Sequence, residues 1–461
     1  DSVVVLNTET GHDEEICQMT HKMQLLGAAA TIFLTAKTEF YCDEPGPTIP
    51  MIKLVSKENI TSLLNMKKVS LLPYSVQERK IPGADLLSSK GPADSGLRKP
   101  EIVIPGANIF SARSHGPDLE DVEITTDYDD SVHVLSGSSM ATPSASAMSL
   151  IILQYLNEGF YPGLKKDSEN SIMNVSSCLL RALLINTAIK PDSAEGESQS
   201  LPRNDVGFGT PFLHKILGFN DTGLRFVDYE TIGQEMHRVY RIKVDSNKAD
   251  LSVTLVYLDP PLDVDNEALL FADIDLYVKS PTGQIYNGNN ATDGDTLSVI
   301  ERVVFEKGEI PEVGGEFEIH VVSNKFPIDS QKVIYSIVVN GPFEMGNIEK
   351  NPLFLKGEDA SENDCPNGCN GNGKCQKSHC VCNDAFVGLS CAAQITDLKE
   401  GESHSEKLNH GDMKYLRIPL TEKVEKIDFD ILKRERKGLT YFCTSFEDSP
   451  GKLSQPEWTC Y

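Results

Sequence analysis

The stretch "HVLSGSSMATPSASAMSL", residues 133–150, decides how the rest of the chain is read. Ser139 stands between small residues and an apolar run. Met140, Pro143, Ala147, Leu150, Ile151 and Tyr155 follow helical spacing. Proline lacks an amide proton and suits only the first turn of a helix, so a helix is expected to begin near Ser139. A serine there meets the positive end of the helix dipole and backbone N–H groups without helical acceptors. Such groups can stabilise an alkoxide or an oxyanion, and Gly137 and Ser138 leave room for a peptide carbonyl to approach. That arrangement suits acyl transfer. An isolated serine in this position is more often a plain helix cap, so the surrounding chain has to arbitrate.

The chain has 461 residues, 39% of them hydrophobic. That implies about three or four units, each with a core of its own. No apolar run approaches the ~20 residues needed to span a bilayer. The formal net charge of −25 argues against nucleic acid and anionic lipid as partners. Six of the eleven cysteines fall within residues 365–391, a density that indicates disulfides and an oxidising compartment. Asn-x-Ser/Thr sites at Asn59, Asn174, Asn220 and Asn290 are compatible with secretion.

Organisation changes along the chain. Residues 1–75 alternate apolar strands ("VVVL", "ATIFLT") with helical stretches, as a small α/β unit does. Ile16, Met19, Met23 and Leu26 form one stripe there, and Gly27 can stop that helix. Residues 76–218 read as mainly helical. Residues 222–343 carry short strands with turn residues between them, the pattern of an antiparallel sandwich or jelly roll. A polar linker, "GEDASEND" (357–364), leads to the cysteine cluster in residues 362–392. From residue 393 to 461 "MKYLRIPL" and "KIDFDIL" suggest the start of a further β domain.

Within the opening stretch, "GSSMATP" resembles the nucleophile motif of subtilases, the subtilisin-like serine proteases, at Gly137, Ser138, Ser139, Met140, Ala141 and Pro143. The flanks are similar too. "LLSSKGPADSGLRKPEIVIPGANIFSA" (86–112) resembles the subtilase segment before the nucleophile. "CLLRALLINTA" (178–188) and "GFGTPFLHKIL" (207–217) resemble the helices and turn that close such domains. Residues 1–75 are similar to the protease-associated insert, and the β region resembles the C-terminal jelly rolls of larger secreted subtilases. The resemblance implies an α/β catalytic domain, polypeptide substrates, an extracellular or cell-surface location, and Ser139 as catalytic nucleophile and oxyanion N–H donor. It implies no cofactor for the chemistry.

A serine hydroxyl also needs a histidine to take its proton and an acid to orient that histidine. In subtilisin-like enzymes the chain order is Asp, His, Ser, so both partners belong N-terminal to Ser139. Asp94-Ser95-Gly96 and His115-Gly116 are in that order. However, Asp94 falls where the family has a loop, and Pro117 stands where the His-Gly-Thr motif has Thr. His12, His21 and His133 match no motif. The acid, the base and the oxyanion Asn are therefore expected upstream of residue 1. A second reading, from another class, is a non-catalytic pseudoprotease or an adhesion protein using its β and cysteine-rich parts.

The cysteine cluster, with its "CVCNDAFVGLSC", resembles an EGF-like module, a possible contact surface for other proteins. Six cysteines allow fifteen connectivities; the resemblance implies Cys365–Cys375, Cys369–Cys380 and Cys382–Cys391. A zinc site using Cys-x-Cys and His379 is the rival. Cys17 with Cys42, and Cys443 with Cys460, can form further pairs, leaving Cys178 as a buried thiol. In "DIDLYVKSPTG" strand alternation places Asp273 and Asp275 on one face and Ile274, Leu276 and Val278 on the other. The two carboxylates are either a solvated strand face or ligands for a structural Ca²⁺.

Overall fold

The computed structural model describes residues 2–6, 13–34, 51–54, 84, 88–93, 97–112, 132–191, 202–218, 222–260, 270–291, 293–311, 314–324, 326, 331–343, 354–399, 401–405, 414–419, 443–444 and 459–460. The backbone divides into two units, residues 1–79 with 108–135, and residues 80–107 with 136–461. The region expected as one block, 76–218, is thus shared between them.

In the first unit β1 (Ser2–Leu6), β2 (Ala28–Leu34) and β3 (Met51–Leu54) form a parallel sheet in the order β1-β2-β3. Parallel neighbours need a crossover, and α1 (Asp13–Leu25) supplies the one between β1 and β2. Its buried side is Ile16, Cys17 and Thr20, with Thr20 Oγ1 3.3 Å from Thr31 Oγ1. Leu26 does not join that stripe; it is 79% exposed, past the helix end, where Gly27 takes φ +86°. The same unit holds an antiparallel pair, β4 (Ile109–Ala112) and β5 (Val132–Leu135).

The second unit starts its regular structure with α2 (Ser138–Asn157) and continues with α3 (Ser177–Asn186). Next come β6 (Gly223–Ile232), β7 (His237–Lys243), β8 (Leu251–Tyr257), β9 (Ile274–Lys279), β10 (Ile285–Asn287), β11 (Ile300–Phe305), β12 (Glu316–Ser323), β13 (Val333–Gly341) and β14 (Glu358–Asp359). They build two antiparallel sheets, β10-β9-β12-β7-β14 and β11-β8-β13-β6. The in-and-out alternation of a half-exposed strand is absent from the central strand β8: all seven of its residues, Leu251 to Tyr257, are buried. The reason is that it is covered twice. One face joins Tyr240, Leu276, Phe317 and Ile337 in the core between the sheets. The other contributes Val256, beside Phe226, Ile300 and Val338, to a second core formed with Ile152, Leu156, Leu179, Leu183 and Ile185 of α2 and α3.

Polar side chains finish that junction. Ser176 caps α3 by accepting from Leu179 N at 2.9 Å, and its own hydroxyl donates to Asp228 on β6. Asn186 Nδ2 donates to Ser252 O, Thr254 Oγ1 and Val338 O, each at 3.0 Å. Arg302 on β11 donates to Asn186 O (2.8 Å) and Ala188 O (3.0 Å), placing a cation at the negative end of α3.

Residues 365–391 are tied by disulfides Cys365–Cys375, Cys369–Cys380 and Cys382–Cys391 around β15 (Gly373–Gln376) and β16 (His379–Cys382). This disulfide-rich cluster is held to the sandwich. Asp293 accepts from Ser390 N (2.7 Å), Ser390 Oγ (2.6 Å) and Ala392 N (2.8 Å). β17 (Phe386–Val387), inside the cluster, forms a small sheet with β18 (Ala393–Asp397) and β19 (Tyr415–Arg417). The backbones of Cys443 and Cys460 face each other in an antiparallel pair; their side chains lie outside the described residues. Among the described residues no helix is long and apolar enough to cross a membrane.

Candidate active site

Ser139 is the second residue of α2, and it is exposed. The residue before the helix, Gly137, offers no side-chain cap, and no acidic residue stands in the first turn. Its carbonyl instead accepts from Met140 N (3.0 Å) and Ala141 N (3.3 Å). The amides of Ser138 and Ser139 are therefore the ones left at the helix mouth, where the dipole is positive. Gly137 N donates to Gly106 O at 2.8 Å, which pins the Pro105-Gly106 segment against the helix start. A Cβ on Gly106 would stand 2.7 Å from Gly137 O and 2.9 Å from the Ala141 Cβ, so the approach requires glycine.

Pro143 departs from expectation. It is the sixth residue of α2, inside the helix, not in its first turn. A proline there cannot donate to the carbonyl four residues back, which is that of Ser139. Thr142 Oγ1 donates to Ser138 O at 2.9 Å one residue earlier, so side-chain bonding supplements the ladder around the gap.

Residues 76–210 match the Subtilase family. These residues form a subtilase domain. Matches to curated proteins agree with it. A serine protease/ABC transporter B family protein of Dictyostelium discoideum, tagA, is 28% identical over 278 residues, covering 55% of this chain and 15% of that protein. Another from that organism, tagB, is 43% identical over 103 residues, 22% of this chain and 5% of its own length. Serine protease AprX of Bacillus subtilis is 37% identical over 67 residues, 14% of this chain and 15% of its length. The chain thus spans a small fraction of each relative.

Among the described residues of the matched region, no histidine belongs to the unit that holds Ser139. Asp94 and His115 lie outside the described residues, as does His12. His21 and His133 are exposed, and both belong to the other unit. The remaining cysteine of the domain, Cys178, is fully buried and free, and burial pushes its thiol up to about 11. That is the environment of an inert thiol.

Away from Ser139, Asp273 and Asp275 occupy no solvated face. They are 9% and 2% exposed. Asp275 lies on β9, inside a five-stranded sheet, with Asp273 just ahead of the strand, and the loop carrying Asp295 covers the side expected to face water: Asp295 N donates to Asp275 Oδ1 at 3.0 Å. Glu301 joins them, completely buried, with Oε2 accepting from Leu276 N at 2.8 Å. Sequence reading missed it, although a glutamate inside the apolar strand "VIERVVF" was the available signal. Zinc at the cysteine cluster is not supported. Cys365, Cys369 and Cys380 stand within 4.8 Å of one another, but all three are in disulfides. Both cysteines of the Cys-x-Cys pair, Cys380 and Cys382, are in disulfides, and His379 bonds to Lys377 O (2.9 Å) and Ser323 O (3.0 Å). Cys17 is disulfide-bonded; its expected partner Cys42 lies outside the described residues.

Proposed function

We propose that the protein is a serine endopeptidase that cleaves peptide bonds through an acyl-enzyme on Ser139. The observation that carries this reading is the exposed Ser139 hydroxyl at the mouth of α2, within the matched subtilase region. Attack by Ser139 Oγ on the scissile carbonyl forms the tetrahedral intermediate. The Ser139 amide donates to its oxyanion, and expulsion of the amine leaves the acyl-enzyme, which water then hydrolyses. The uncapped, acid-free helix start favours both the alkoxide and the oxyanion. The base and its acid are those the family order implies, Asp then His, both N-terminal to Ser139.

The substrates would be polypeptides. The protein would be secreted or displayed at a cell surface, with the first 75 residues as a protease-associated insert, the sandwich as a jelly roll and the disulfide-rich cluster as an EGF-like contact module. The disulfides and the exposed sequons at Asn174 and Asn290 support that location. A fluorophosphonate probe applied to the full polypeptide that carries this chain should label Ser139, and Ser139→Ala should abolish the label. Labelling that survives the substitution refutes the assignment.

A further inference from the structure

β9, β12 and β7 are neighbours in the five-stranded sheet. Their Leu276, Ile319 and Tyr240 point into the core between the sheets. Alternation therefore sends Tyr277, His320 and His237 to the outer face. That face is polar, yet all three side chains are buried there. The rings of Tyr277 and His320 stack at 4.2 Å, and His320 Nδ1 lies 2.8 Å from His237 Nε2. The cover is the disulfide-rich cluster. His237 Nδ1 is 3.3 Å from Ser378 O, and His379 Nε2 is 3.0 Å from Ser323 O.

The acceptors in this seam limit its protons. A carbonyl only accepts, so His237 Nδ1 carries a hydrogen toward Ser378 O. In the neutral ring Nε2 is then an acceptor, and His320 Nδ1 donates to it. Two imidazolium ions 2.8 Å apart, cut off from water, are excluded by repulsion and lost solvation. Other groups face the pair. On β12, Glu318 Oε2 is 3.7 Å from His320 Nε2, but the same oxygen holds Lys279 of β9 at 2.8 Å. Tyr277 Oη, a neutral hydroxyl, is 3.3 Å from His237 Nε2. From the cluster, Asp364 adds a negative charge. His379 has its ring 6.4 Å from that of His237, and its nitrogens meet two carbonyls, Lys377 O and Ser323 O. Only an imidazolium donates to both, so a positive charge also faces His237. Burial outweighs the carboxylates: it pushes His320 below the ordinary histidine range and His237 down to about 3.

We propose that His237 and His320 form an acid-sensitive latch, and that protonation of the pair frees the Ser378 end of the disulfide-rich cluster from the sandwich. Closed, the pair excludes at least one of the two protons that separated rings take up in water near ~6.5. The closed form is therefore favoured above that pH. Below it, each pH unit multiplies the open-to-closed ratio by about ten for each proton excluded. Three disulfides make residues 365–391 move as a unit. The latch lies between the sandwich and the cluster and does not depend on the protease reading.

Hydrogen exchange of the full chain at pH 7, 6 and 5, corrected for the intrinsic pH dependence of exchange, reads the open fraction. The Ala360 amide reports the seam, because it donates to His237 O at 2.9 Å just ahead of the cluster. Its protection should fall about tenfold between pH 6 and pH 5, while that of Leu251–Tyr257, in the buried strand β8, should hold. His237→Asn keeps an amide donor for Ser378 O and removes the titrating ring, so the fall at Ala360 should shrink. Protection that ignores pH, that falls equally in both segments, or that keeps the wild-type slope in His237→Asn overturns the latch. If the variant does not fold, hydroxyl-radical footprinting of the wild type decides. Oxidation of Tyr277, 1% exposed, should rise about tenfold between pH 6 and pH 5, with Tyr240 of the core still protected. Equal oxidation of Tyr277 at both values overturns the proposal.

Discussion

At the scale of single residues, two positions carry consequences that substitution can read. Gly106→Ala places a methyl group against Gly137 O and the Ala141 Cβ. Overpacking of that kind costs about 1–3 kcal/mol, and it displaces the segment that accepts from Gly137 N at the start of α2. Thermal unfolding should show the loss, and fluorophosphonate labelling of Ser139 should slow in the same variant. His237 is the second. It is 3% exposed, with Nε2 2.8 Å from His320 Nδ1 and Nδ1 3.3 Å from Ser378 O. Burial, with the charge of His320 and His379, pushes its pKa down to about 3. The folded protein therefore binds this proton less readily than the unfolded chain, whose histidine titrates near ~6.5. Stability from this group is intact above that value and is lost as pH falls from there toward about 3. Asp259 opposes it: burial raises its pKa to about 6, so its contribution is full below the unfolded carboxylate value and is lost as pH rises through about 6. Urea midpoints between pH 7 and pH 4 should fall less steeply in His237→Gln than in the wild type. Parallel slopes would exclude His237 as a source of acid sensitivity.

At the scale of elements, the junction between α3 and the sandwich rests on few polar groups. Arg302 serves two carbonyls at the end of α3 and Ser252 Oγ at 3.0 Å. Arg302→Ala should therefore cost about 3 kcal/mol, the size of losing charged hydrogen bonds and leaving buried acceptors unmet. Chemical denaturation would measure it. Sequence patterning makes the strands of residues 222–343 and the start of α2 legible, because alternation and helix-start chemistry are local. It fails where a second layer changes the environment. Asp273 and Asp275 read as a possible wet face because alternation says which residues share a side, not what covers it. Leu26 reads as part of a buried stripe because periodicity does not say where a helix stops. Propensity assigns Pro143 to a first turn, yet α2 continues through it and gives up one backbone bond. The proton acceptor for Ser139 is legible only as an order along the chain.

At the scale of the whole molecule, the disulfides close short loops, with sequence separations of 9 to 11 residues. Loops of that length gain about 3 kcal/mol each in the chain-entropy account. The cluster has little apolar core beyond its cysteines, whereas the sandwich core contains no disulfide among its described residues. Mild reduction should make residues 365–391 susceptible to protease while residues 222–343 resist. Simultaneous digestion of both would show that the sandwich depends on the cluster.

The second core has a further consequence. Cys178, Leu179, Ala182, Leu183 and Ile185 of α3 are buried in part by Phe226, Val256, Ile300 and Val338 of the sandwich. Neither partner owns that oily seam, so neither can melt without stripping the other. Calorimetry should record a single endotherm for the two together. A polypeptide ending at residue 218 would lack half of the seam and should be recovered as insoluble material, whatever its chemistry at Ser139.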